Sequence, residues 1–184
     1  MTLYVNKDDG AHEVRVLDYI AQKKNRAWVK QKEVKASFDG IIYKEADHEC
    51  VKDIPEAMLE IRRLSCSKDD YPSAMISYTK LQNWQSLYPV IKIPIFFVVN
   101  WNDGLGMANI EDIFMHGDMR VSKPSANRRN PIDDREIVFH YPVDQFRFIA
   151  SEQDAKRLWN GEFVEQTTSG TETTESKKEQ EVFG

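Results

Sequence analysis

The chain has 184 residues and a formal net charge of −5, with 41% hydrophobic and 30% charged residues. That size and composition suit one domain able to bury a core of its own, and exclude a chain disordered throughout. The sequence has no run of eighteen apolar residues and no basic-then-apolar leader, so no membrane partner and a cytoplasmic location are expected.

In chain order, "DDGAHEVRVLDYIAQKKN" places Val14, Leu17, Ile20 and Ala21 at helical spacing, with Asp8 or Asp9 as the cap. Glu13 borders this apolar stripe. Three extended segments follow: "AWVKQKEVK", "FDGIIYKEA" and "AMLEIRRLS". "YPSAMISYTKLQNWQSLY" begins extended and turns helical, with Ser77 as N-cap and Tyr78, Leu81, Trp84 and Tyr88 at helical spacing. "IPIFFVVNW" is the most apolar stretch and is expected to be the central strand. "NDG" at 102–104 is a hairpin signal, to be followed by a short strand. "REIVFHYPVDQF" reads as a late strand ending at Pro142, and Ser151 with Asp154 three residues on caps a short last helix. The order predicts an α/β (α+β) sandwich around a mixed sheet flanked by helices, within a domain spanning 1–164. Residues 165–184 are rich in Thr, Ser, Glu and Lys and read as a disordered acidic tail. That tail holds five Glu and two Lys, so the domain itself is nearly neutral and a nucleic-acid partner is compatible with its charge.

Cys50 and Cys66 are the only cysteines, without zinc-ligand spacing, and read as reduced thiols. The four histidines are scattered, and no glycine-rich phosphate loop or nucleophile elbow occurs. The informative stretch is "AMLEIRR". Side chains alternate along a strand, so Glu60 and Arg62 share one face while Ala57, Leu59 and Ile61 take the other. Asp39 lies 21 residues upstream of Glu60. A hairpin of the two strands would bring both carboxylates to one end. Two carboxylates and a cation form a magnesium-type site, because a hard ion needs few protein oxygens when phosphate supplies the rest. An ion pair on an open strand face is the competing reading of Glu60 and Arg62.

Asp39 followed by Glu60-Ile61-Arg62 resembles a variant of the PD-(D/E)xK nuclease signature, and the element order matches the restriction-endonuclease-like core. Over roughly residues 11–149, the segments "YPSAMISYTKLQNW", "IPIFFVVNWNDG" and "REIVFHYPVDQF" are similar to those of small phage and prophage proteins of that superfamily. The resemblance implies metal-dependent hydrolysis of DNA by a phage-type endonuclease or resolvase-like nuclease acting in the host cytoplasm. It implies Mg2+ (or Mn2+) on Asp39 and Glu60, with Glu13 joining from the first helix. It also implies a catalytic cation at Arg62 or, displaced onto the helix, at Lys80. Tyr71 and Ser77 match family positions able to contact phosphate, and the basic loop with Arg120, Lys123, Arg128 and Arg129 would grip the DNA backbone. A homodimer is compatible with this class. The family's lysine is Arg62 here, and arginine stays protonated and cannot serve as a base. The alternative is therefore a nuclease-fold protein that binds DNA or a protein partner without cleaving.

Overall fold

A computed structural model describes residues 7–24, 26–30, 38–44, 54–122 and 136–162. The expected tail, Lys123, Arg128, Arg129 and Cys50 lie outside the described residues. The elements run α1 (Lys7–Lys24), β1 (Ala27–Lys30), β2 (Gly40–Lys44), β3 (Ile54–Arg63), β4 (Ser73–Ser77), α2 (Tyr78–Ile91), β5 (Ile95–Trp101), β6 (Gly104–Asn109), α3 (Ile110–His116), β7 (Asp118–Val121), β8 (Ile137–Pro142), β9 (Arg147–Phe148) and α4 (Glu152–Asn160).

Six strands form the main sheet in the order β1-β2-β3-β5-β6-β9. The apolar run 95–101 is β5, which lies inside the sheet, parallel to β3 and antiparallel to β6. Its partner β6 is reached through the two-residue turn Asn102-Asp103, since Trp101 pairs with Gly104. The chain passes from β3 to the parallel β5 through β4 and α2, as a parallel pair requires a crossover. One face of the sheet packs against α1 and α4 through Val16, Leu17, Ile20, Leu59, Ile61 and Leu158. The other packs against α2, α3 and a second sheet through Leu81, Trp84, Phe97, Val99, Ile113 and Phe139.

That second sheet, β4-β8-β7, departs from the single sheet expected. The stretch "SAMIS" pairs with the late strand, Ala74 opposite Tyr141 and Ile76 opposite Phe139, and its buried residues face the core. Its alternation is satisfied equally well by any sheet that offers an apolar layer, so periodicity did not reveal the partner. Helix α1 starts at Lys7, so Asp8 and Asp9 fall in its first turn rather than at its cap. Ser151 does cap α4, accepting from the Asp154 amide at 3.1 Å.

Helix α1 comes so close to β2 that a Cβ on Gly40 would land on the methyl groups of Leu17. Leu17 is fully buried and has little room to give way. Gly40→Ala is therefore expected to destabilise the protein by about 1–3 kcal/mol through overpacking, measured by denaturant unfolding. The contact also seats the strand whose preceding residue is Asp39.

Candidate active site

The register of β2 and β3 sets Gly40 opposite Leu59, which places Asp39 level with Glu60. The Asp39 amide donates to the Leu59 carbonyl at 3.0 Å, and its carboxylate accepts the Ile61 amide at 2.6 Å. Alternation along β3 holds as expected. Ala57, Leu59 and Ile61 are buried against α1 and α4. Met58 packs on the opposite side, toward α2, the side taken by Glu60 and Arg62. Glu60 is only 7% exposed.

Helix α2 leaves β4 over this face and delivers Lys80, whose ammonium donates to Glu60 Oε1 and forms an ion pair with it. The other oxygen, Oε2, is buried without a hydrogen-bond partner. A buried carboxylate oxygen without a donor is costly unless a proton or a cation meets it. Burial drives the Glu60 carboxyl upward, with Lys80 opposing. Burial, followed by the Glu60 charge, raises Asp39 to about 7, against the lowering effect of the Ile61 amide. The structure thus brings Asp39, Glu60 and Lys80 together.

The other expected residues are distributed around this centre. Arg62 shares the face of Glu60, but its guanidinium donates to the Met75 carbonyl of β4 at 2.7 Å and its side chain is exposed. Glu13 is ion-paired with Lys30 at 3.0 Å, while its charge still raises both Asp39 and Glu60. Among the described residues no three acidic, histidine or cysteine side chains gather closely enough to hold a metal by themselves. Ser77 occupies the N-cap position of α2 without making a side-chain cap bond. Its hydroxyl donates instead to Glu136, just before β8. Tyr71 and Arg120 lie on an open cleft of about 730 Å3, also lined by Lys68, Ser73, Asp118 and His140. Neither Glu60 nor Lys80 lines that cleft. Arg120 is paired with Asp118 at 2.9 Å.

Glu136 is the participant that the sequence did not reveal. It accepts from Ser77, and its charge acts on Arg62. It lies 59 residues from Ser77, and no local pattern marks it.

Could this centre hold a divalent ion? Two oxygen-donor side chains stand level, Glu60 on β3 and Asp39 just ahead of β2, and one of their carboxylate oxygens is buried with no protein donor. A magnesium-type ion needs one or two carboxylates when water and a phosphate complete its shell. The residues fit such an ion, as a two-carboxylate site without Glu13.

A family model described as "Phage putative PDDEXK endonuclease" matches residues 2–149. Among solved structures, the chain is similar to the Holliday junction resolvase Hjc of Archaeoglobus fulgidus, with 8% identity and a TM-score of 0.46. That match covers 85% of this chain and 99% of the other. It is also similar to a nuclease from a fusselovirus, with 14% identity and a TM-score of 0.47, covering 87% and 97%. Comparison with curated proteins finds no match. Among the described residues no helix is long and apolar enough to cross a membrane.

Proposed function

We propose that this chain, which belongs to the phage PDDEXK endonuclease family, hydrolyses DNA phosphodiester bonds with a divalent cation, Mg2+ or Mn2+, held by Asp39 and Glu60. One observation carries this reading: the Lys80 ammonium reaches the buried Glu60 carboxylate, level with Asp39. The amine absent from position 62 is thereby supplied from a helix. When bound, the cation would polarise the phosphate and lower the pKa of a water.

The chain's own residues have separate tasks. Asp39 and Glu60 present hard oxygen donors. Lys80 favours the ionised form of Glu60 and carries further N–H donors for a phosphate oxygen or an attacking water. Arg62, tied to Met75 by one donor, keeps others free to offset phosphate charge. A second reading, DNA binding without cleavage, is favoured by that same tether, since Arg62 is drawn toward β4.

Supercoiled plasmid, single-stranded DNA and branched DNA, each with Mg2+ or Mn2+, decide between the readings. Nicking or cleavage by the wild type that requires metal and is lost in Glu60→Ala is the expected result. A wild type that binds these DNAs and cuts none of them with either metal establishes the second reading.

A further inference from the structure

Strand β7 is the outer strand of the small sheet, and no described strand pairs with its free edge. All four of its residues are exposed. The Ser122 amide donates to the Glu136 carbonyl at 2.7 Å, extending the ladder in which Arg120 faces Val138 and Asp118 faces His140. Antiparallel pairs alternate between bonded and non-bonded, so residues 118 and 120 spend their backbone groups on β8. Met119 and Val121 therefore point theirs at the edge that no described strand occupies. The side chains divide as well: Asp118 and Arg120 lie on one face. Met119 and Val121 lie on the other, next to Ile137, the register partner of Val121; all three are exposed.

Exposed edges are ordinarily blunted by charges that repel a second strand. Here one acid and one base flank Met119, so the strand is complementary to its own reverse. We infer that β7 pairs antiparallel with β7 of a second copy about a two-fold axis through Met119. In that register each Asp118 stands opposite Arg120 of the other copy. The two Met119 residues exchange backbone hydrogen bonds, and their side chains meet on the apolar face. The two small sheets then join into one of six strands. Such an interface is isologous and closes at two copies. It gives Arg120 a role in self-association in place of a phosphate contact, and it does not depend on whether the chain cleaves DNA.

The test uses the full chain in sedimentation velocity, at concentrations from about 1 to 100 μM, since so small an interface belongs to the weak class. The wild type is expected to pass from monomer to dimer across that range. Asp118→Arg alone and Arg120→Asp alone should each remain monomeric, because like charges then face each other across the axis. Mixed one to one, the two variants should form a heterodimer, since the cationic strand meets the anionic one. Circular dichroism matching the wild type controls for folding. A wild type that stays monomeric, variants that dimerise alone, or a mixture that stays monomeric would each overturn the proposal.

Discussion

Replacing Lys80 with Ala is expected to lower the rate of metal-dependent DNA cleavage by roughly 10²–10³-fold, the usual cost of removing one charged group aimed at a transition state. Arg62→Lys should leave the rate within about tenfold of the wild type. The two cations differ in placement: Lys80 bonds Glu60, whereas Arg62 bonds a carbonyl of the neighbouring sheet. Loss of Lys80 also removes the larger of the two charges, Lys80 and Arg62, that oppose the upward drift of the Glu60 carboxyl. The residual activity of Lys80→Ala should accordingly shift to higher pH. The double variant Lys80→Ala/Arg62→Lys should regain at least tenfold over Lys80→Ala, because residue 62 shares the face of Glu60. Initial rates of plasmid nicking across pH 6–9 measure all three. A Lys80→Ala enzyme as fast as the wild type would remove the lysine from the chemistry.

The second large effect concerns Asp39. Burial, then the charges of Glu60 and Glu13, raise its carboxyl to about 7 from 3.8. In the folded, metal-free protein it therefore retains a proton that the unfolded chain releases above about pH 4. The unfolded state binds fewer protons over that window, so this group's contribution to stability falls as pH rises from about 4 to about 7. Asp39→Asn abolishes the titration while an amide oxygen can still accept the Ile61 N–H. The variant is expected to be more stable than the wild type at pH 8 without metal, by about 1–3 kcal/mol, and nearly equal to it at pH 4. Mg2+ should reverse the order at pH 8, raising the melting temperature of the wild type and not of Asp39→Asn. Denaturant unfolding at pH 4 and 8, with Mg2+ or with chelator, checks both signs. A wild type already the more stable at pH 8 in chelator would show that Asp39 is not held in a charge-averse setting.

How much of this was legible beforehand differs from residue to residue. Alternation in "AMLEIRR" placed Glu60 and Arg62 on one face, because strand geometry is decided within two residues. The apolar run 95–101 announced the interior strand β5, and Ser151 its helix, since burial and capping are also local. Asp39 could be matched with Glu60 once a hairpin was assumed, and the register of β2 and β3 supplies it.

Other features needed tertiary structure. The resemblance offered Lys80 as a displaced amine, while its spacing alone marked an ordinary helix lysine; the crossover from β3 to β5, which lays α2 over Glu60, brings its ammonium to that carboxylate. Ser77 holds the N-cap position that its place before the helix predicts, yet its hydroxyl bonds Glu136, brought beside it only by the pairing of β4 with β8. The division of the strands between two sheets could not be read either, because alternation states that a strand has an apolar face and not which strand it joins. Residue order and strand alternation are enough to assign which side chains share a face. Only packing decided which carboxylate would be buried, which amine would reach it, and how far the charge of one acid would raise the other. Those outcomes depend on desolvation and on distances between groups 20 or more residues apart.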